Sequence, residues 1–388
     1  MRPIAMATSS GVANGAGGAH VGAGLAPPIV SAEEFHRRAA ANVHARARDA
    51  HAAFYSSWTD CITTDPAAMV LPMDDHMAHR GHGVFDTAHL HAGHLHMLDR
   101  HVARFFESMR AANIPPPFDR ETVTALVLRV AAAGGLREGQ LRFYASAGPG
   151  GFALDQAECV KSVFYCVAVK KRAKDASKDA SRRGVAVVTS AVPVKPPAFA
   201  TVKSTNYLPN ALVVADAKAR GAQYGIWLTE DGKHVAEGPS MNVGFVVRRR
   251  RRRESDENEN ASEDENDATP PLRFLTPPWD ETLAGCTVAR AVEMVDEGRF
   301  EHLGLKGPAL IEPVPLDVAR NAVELMLIGS VINCVPITRW DGADVGEAPG
   351  AVGAVAVAMR DAIERDFDEN AKELTRVPYE MFETGKRP

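Results

Sequence analysis

Two groups in the stretch from Lys203 to Val246 carry reactive chemistry, the amine of Lys203 and the carboxylate of Glu237. Lys203 stands between an apolar, proline-rich run, PVKPPAFATV, and the polar run Ser204-Thr205-Asn206-Tyr207, while Glu237 is followed by Gly238-Pro239 between two strand-like segments. A lysine ahead of a helix is ordinarily a solvated charge. To act as a nucleophile or base it needs a lowered pKa, which desolvating surroundings supply. Two further places suit an anion. Gly285-Cys286-Thr287 opens a helix, where unpaired N–H groups and the positive end of the dipole face outward and a threonine hydroxyl adds a donor. Gly329-Ser330 interrupts an apolar run, a second point where backbone amides can approach a phosphate or carboxylate. Four histidines, His89, His91, His94 and His96, invite a metal reading. No neighbouring cysteine or carboxylate completes a shell and a solvated hairpin face accounts for their alternation, so no metal is expected.

The elements that position these groups follow from spacing. Leu208 to Arg220 is helical with Gly221 as its stop, and Gly225–Thr229 and Val243–Val247 are strands, with Glu230-Asp231-Gly232 turning after the first. Upstream, Ser31 to about Ala53 is expected as one helix, with Ser31 as N-cap and Glu34 completing a capping box. Val84–His91 and His94–Leu98 flank Ala92-Gly93 as a hairpin. Asp99 is expected to cap the next helix, whose Val102, Phe105, Phe106 and Met109 form an apolar stripe. A helix near Glu121–Ala133 and strands at Leu141–Ser146 and Lys161–Lys170 complete a first unit, closed by the charged connector Lys170–Arg183. After it, a helix from Thr287 to about Glu297, a strand to Thr338 and a helix from about Gly350 to Asp368 restore the alternation. The expected fold is α/β (α+β) in two domains, residues 31–183 and 184–388.

Composition sets limits on function. At 388 residues and 45% hydrophobic the chain is long enough for two cores. Six consecutive arginines, Arg248–Arg253, are answered at once by eight acids between 254 and 267, so a field that would draw nucleic acid is cancelled. With almost no apolar residue this stretch is expected to be a disordered hairpin insertion over 248–270. Five cysteines without a Cys-x-x-Cys pair suggest reduced thiols in an intracellular protein. No apolar run approaches the roughly 20 residues of a membrane helix, which points to a soluble chain. Residues 1–30, free of acids and rich in Ala and Gly, are expected to be a disordered tail in a cytoplasmic protein. The alternative is a plastid or mitochondrial transit peptide.

Six motifs in order carry a resemblance. They are Arg-Gly-His-Gly-Val-Phe-Asp-Thr (80–87), His-Val-Ala-Arg (101–104), Lys-Ser-Thr-Asn-Tyr-Leu-Pro-Asn (203–210), Glu-Gly-Pro-Ser-Met-Asn-Val (237–243), Leu-Ala-Gly-Cys-Thr (283–287) and Gly-Ser-Val-Ile-Asn-Cys-Val-Pro (329–336). Together they resemble the fold-type IV pyridoxal-phosphate enzymes, a class of branched-chain aminotransferases, D-amino-acid aminotransferases and aminodeoxychorismate lyases. Within it the chain looks most like plant and algal D-amino-acid aminotransferase-like proteins. The resemblance implies that Lys203 anchors pyridoxal 5'-phosphate covalently and moves the substrate's α-proton, and that Glu237 pairs with the pyridine nitrogen. It further implies that Arg104, with Gly285, Cys286, Thr287 and Ser330, holds the phosphate. Tyr207 resembles a tyrosine that bonds the ring's phenolic oxygen, one position nearer the lysine than in the branched-chain enzymes, and Leu283 would pack on the ring. For the substrate, Phe85, Arg142, Ser240, Ser330 and Val331 are the candidates, with Phe143 and Trp58 as further pocket walls. Ala147 stands where D-specific enzymes carry a carboxylate-trapping arginine, while Phe85 and Arg142 are closer to the branched-chain pattern. The implied protein is a homodimeric transaminase exchanging an amino acid with a 2-oxo acid such as 2-oxoglutarate or pyruvate. The alternatives are the lyase reaction and a non-catalytic scaffold.

Overall fold

A computed structural model describes residues 27–171, 180–248 and 270–383. The N-terminal tail up to residue 26, the middle of the charged connector and nearly all of the charged insertion lie outside them, so the readings of those segments stay with the sequence. The strands before the connector are β1 (His51–Ser56), β2 (Cys61–Thr63), β3 (Gly83–His91), β4 (His94–His96), β5 (Gly139–Ser146) and β6 (Val163–Lys170). Then come β7 (Val185–Thr189), β8 (Tyr224–Ile226), β9 (His234–Val235), β10 (Asn242–Arg248), β11 (Leu272–Thr276), β12 (Leu310–Ile311), β13 (Val314–Pro315), β14 (Glu324–Gly329), β15 (Asn333–Trp340), β16 (Ala343–Asp344) and β17 (Leu374–Arg376). Among the described residues they form a first sheet in the order β17-β4-β3-β5-β6-β1-β2 and a second in the order β12-β11-β10-β14-β15-β7-β8, with β16 beside β15 and β13 paired to β9 as a ribbon. The last strand thus returns from the far end of the chain to the edge of the first sheet.

Each sheet buries its faces differently. In β3 the even positions Val84, Ala88 and Leu90 face the Leu98–Ala111 helix, whose Val102, Phe105 and Met109 fill the first core. In β10, positions 242–247 are all buried, because both faces are covered. Val243, Phe245 and Val247 join one cluster, and Val246 lies in another with the Cys286–Asp296 and Ala354–Glu369 helices.

Several expected boundaries move. The helix expected from Ser31 to Ala53 is broken: Ser31 Oγ does accept from Glu34 N at 3.2 Å, but the helix stops at Asn42, a short one spans Ala45–Ala50, and His51 already starts β1. None of the first helix's residues is buried, whereas Ala53 to Ser56 pair with β6, so ladder formation prevails over alanine's helix preference. Asp99 is not the cap; it lies in the first turn of a helix that begins at Leu98, with Met97 at the cap in left-handed backbone, φ 51. The helix expected to open at Thr287 opens at Cys286 behind Gly285, and the last long helix begins at Ala354 rather than near Gly350.

The histidine hairpin is not a solvated face. His96 is buried with Nε2 3.2 Å from Asp366, His91 lies between Glu138 and Asp368, and the rings of His89, His91 and His96 pack on Phe367. Asp366 also accepts from Arg290, while Arg100 reaches Glu293 and Glu373, so ion pairs tie the hairpin and its following helix to the second sheet's helices. Burial alone would raise the Asp366 pKa, but the hydrogen bonds from His96 and Arg290 hold it well below the usual carboxylate range. Asp366→Ala leaves both partners short of an acceptor and is expected to lower the unfolding free energy at pH 7 by about 3 kcal/mol. Because the folded pKa is depressed, that deficit is present above the unfolded value near pH 4 and shrinks as pH falls further, which urea unfolding across that range measures.

Candidate active site

Lys203 is fixed by backbone on either side. Its amide donates to Ser108 Oγ at 3.2 Å, and its carbonyl accepts from Phe85 N at 2.9 Å. Thr205 N then donates to Gly83 O at 2.8 Å, and its hydroxyl reaches Gly81 O at 3.1 Å. The segment 203–205 therefore runs beside the start of β3, and the lysine side chain enters a pocket between the two sheets. The same pocket is lined by Arg104, Tyr207, Glu237, Ser240, Leu283, Gly285, Thr287 and Ser330.

Arg104 comes from the Leu98–Ala111 helix and is held by a bidentate pair to Asp86, Nε to Oδ2 at 2.9 Å and Nη2 to Oδ1 at 2.8 Å. Nη1 donates to Ala284 O at 3.0 Å, at the entry to the Cys286–Asp296 helix. His101 Nδ1 lies 2.8 Å from Asp86 Oδ1 and 3.7 Å from Cys286 Sγ, so the Cys286 side chain turns towards His101. Thr287 Oγ1 and Ser330 Oγ are 3.2 Å apart. A Cβ on Gly285 would stand 2.1 Å from Asn242 Oδ1, a close approach that only glycine permits. On Glu237, Oε2 accepts from Leu283 N at 3.2 Å and Oε1 lies 3.9 Å from Lys195 Nζ.

These surroundings set the protonation states. Burial and the Arg104 guanidinium pull Lys203 down to about 8, against the attraction of Asp86, Cys286 and Glu237. Burial lifts Glu237 to about 7, against Lys195, the Leu283 N–H and Lys203. Tyr207 is pushed above the ordinary phenol value by burial and then by Glu237. Burial would raise Asp86, but Arg104 and His101 hold it far below the carboxylate range. Burial would lower His101, but Cys286 and Asp86 outweigh it and raise the imidazole to about 9. The pocket thus joins an amine that can be neutral near physiological pH, a carboxyl able to change state there, and a rigidly held guanidinium.

The other expected neighbours divide between the pocket and its surroundings. Phe85 is buried against Tyr207, ring centres 5.1 Å apart, with Lys203 Nζ 4.9 Å from its ring centre. Arg142 lies opposite Thr87 with its guanidinium 5.9 Å from the Phe85 ring, on the exposed side of β5. Val331 is 61% exposed beside the pocket, and Trp58 is 48% exposed. Phe143 is not a pocket wall. It pairs with Asp86 on the helix-facing side of the sheet and packs on Phe105 at 5.0 Å, while Tyr144, one residue on, stacks against Phe85 at 5.7 Å. Sequence reasoning also missed Lys195, Asn210 and Asn242 in the lining, and Asp86 beneath Arg104. The even-position alternation of β3 was the available signal for Asp86, a carboxylate on an otherwise apolar face.

Residues 83–340 match the model of the family described as "Amino-transferase class IV", and the chain belongs to that family. It is 40% identical over 353 residues to a protein of Arabidopsis thaliana named "D-amino-acid transaminase, chloroplastic", covering 91% of this chain and 86% of that protein. It is 26% identical over 268 residues to a "Putative branched-chain-amino-acid aminotransferase" of Methanocaldococcus jannaschii, covering 69% of this chain and 82% of that one. The fold is that of a branched-chain amino acid aminotransferase of T.th. solved with pyridoxamine 5'-phosphate, with a TM-score of 0.70 at 21% identity over 84% of this chain and 99% of that one.

Asp86 neutralises two buried cations, so Asp86→Asn is expected to destabilise the fold by about 3–5 kcal/mol at pH 7. The effect is checked by urea unfolding. The part contributed by His101 is present below its unfolded pKa and fades as pH rises through about 9, where the histidine loses its proton in the folded chain as well.

Proposed function

We propose that this chain is a pyridoxal-phosphate-dependent transaminase in which Lys203 is the covalent anchor and the acid/base, and that it exchanges a D-amino acid with a 2-oxo acid. The observation carrying the reading is the amine of Lys203, lowered to about 8 in a pocket it shares with Glu237 and Arg104. The donor set suits the cofactor. A guanidinium, two hydroxyls and the start of a helix gather at Arg104, Thr287, Ser330 and Cys286, where a phosphate would be held. Glu237 offers a carboxylate for a ring nitrogen, Tyr207 a phenol for the ring's oxygen and Leu283 an apolar face. Asn210 Oδ1 is buried at the same pocket with no hydrogen-bond partner among the described residues, a polar atom suited to a ligand or water. Bound there, pyridoxal phosphate supplies an aldehyde for the amino group and a ring that accepts an electron pair.

The chain's own residues then do the rest. Lys203 Nζ takes a proton from the substrate's α-carbon and returns one, and desolvation, by lowering it to about 8, leaves about half of it neutral and able to accept a proton at pH 8. Arg104, clamped by Asp86, holds an anion without moving. With Ala147 in place of an arginine, carboxylate recognition falls to Ser330, the Val331 amide and Arg142, with Phe85 as wall and Ser240 at the rim. The D-amino-acid preference rests on the name of the 40%-identical relative.

The large apolar residues Phe199, Leu208 and Val331 are exposed on segments flanking the pocket, which supports a homodimer that covers them and completes the site. The two sheets support two domains that part near residue 183, with Leu374–Arg376 returning from the second stretch of chain to the edge of the first sheet, and the relative's printed location supports a plastid destination with residues 1–30 as a transit segment.

Two outcomes are expected. Lys203→Ala abolishes the visible absorbance acquired on mixing with pyridoxal phosphate and lowers amino transfer from D-alanine to 2-oxoglutarate by at least about 10²–10⁴-fold, the share of proton transfer alone. Capture of the aldehyde by the cofactor-free chain accelerates as pH rises through about 8, read by stopped-flow absorbance. Exchange from L-leucine but no D-amino acid would redirect the specificity reading, and pyruvate release without amino transfer would favour the lyase.

A further inference from the structure

The apolar run before Lys203 holds a second buried amine that none of the steps above uses. Lys195 has 13% of its side chain exposed, and its ammonium occupies a three-sided box. Glu237 Oε1 is 3.9 Å away, the Tyr207 ring centre 5.6 Å and the Trp227 ring centre 5.8 Å. Ring faces carry negative charge, so two aromatic walls and a carboxylate favour a cation there. The box is rigid. Pro196 and Pro197 follow Lys195 directly, the Trp227 indole N–H donates to Val192 O at 2.9 Å, and Trp227 N donates to Glu237 O at 2.9 Å. One tryptophan thereby fixes both the loop bearing the lysine and the backbone of the glutamate.

We propose that Lys195 is a positioning residue that keeps Glu237 ionised, and so makes Glu237 an acceptor for a protonated ring nitrogen instead of a neutral carboxylic acid. The inference rests on the cofactor reading of the pocket. Buried at this depth, Glu237 would otherwise favour its neutral form, and Lys195 is the foremost group opposing that. A cation against the carboxylate would stabilise its negative charge more than it would repel a positive charge on a ring nitrogen farther from it, because Coulomb energy falls with distance. The proton shared between carboxylate and ring is therefore biased towards the nitrogen, where it strengthens the ring's pull on electrons. This role also accounts for a lysine standing at a site where burial lowers its own pKa.

The test separates this role from packing. The cofactor-free full chain and its Lys195→Met and Lys195→Arg variants are titrated with pyridoxal phosphate and with 1-deazapyridoxal phosphate, in which the ring nitrogen is replaced by carbon, following tryptophan fluorescence. Lys195→Met is expected to weaken binding of pyridoxal phosphate about tenfold while leaving the deaza analogue within about twofold, and Lys195→Arg to restore wild-type affinity, since the charge at roughly 4 Å is what acts. Equal losses for both ligands would make Lys195 a packing residue and overturn the proposal, as would no loss for either. A wild-type chain that binds neither ligand would refute the cofactor reading itself, and this inference with it.

Discussion

The structure depends on keeping the amine of Lys203 out of water while holding it still. Desolvation is what converts an ordinary cation into a base usable near neutral pH, and it acts only if the backbone cannot swing the lysine back to solvent. The pairing of 203–205 with the first residues of β3 supplies that restraint, through Phe85 N to Lys203 O and Thr205 N to Gly83 O. Arg104 adds to the lowering by like-charge repulsion, and it can stand so near only because Asp86 compensates it from below. The first sheet thus contributes the electrostatic floor of the site, and the second contributes Glu237, Thr287 and Ser330 along the strand ends and helix starts.

Glu237 is governed by the same logic with the opposite sign. Burial favours its proton, and the nearby Lys195 and a hydrogen bond from Leu283 N oppose that. Two buried lysines consequently serve two different ends of one pocket. Lys203 is made less cationic so that it can react, and Lys195 is boxed by Tyr207, Trp227 and Glu237 so that its charge is of use to a neighbour. The chain places them eight positions apart, with Lys195 before Pro196 and Pro197 and a single helical turn, Pro197–Ala200, between it and Lys203.

Much of this was legible in the sequence where a residue type and its local spacing suffice. The helix from Leu208, the hairpin around Ala92-Gly93 and the glycine-led helix start near Cys286 emerge from turn chemistry and periodicity, whereas the site residues were gathered by the resemblance that the six ordered motifs from Arg80 to Pro336 carry. Nine of the residues singled out line one pocket, although they are spread from Arg104 to Ser330. What failed was tertiary. The histidine hairpin reads as solvated because nothing local shows that Phe367 and Asp366, far along the chain, cover it. Phe143 and Tyr144 differ by one position, and which of them meets Phe85 depends on pairing with β3, so periodicity alone could not choose. Lys195 looked like one more lysine because its box is assembled from Trp227 and Glu237, over thirty residues away.

The most direct test of the central claim is to load the full chain with pyridoxal phosphate, reduce it with borohydride and locate the phosphopyridoxyl group by peptide mass spectrometry. The label is expected on Lys203 and not on Lys195, because Lys203 is lowered to about 8 in the pocket beside Arg104, while the Lys195 ammonium is enclosed by Glu237, Tyr207 and Trp227. A label on Lys195, or a chain that emerges unlabelled, would contradict that claim.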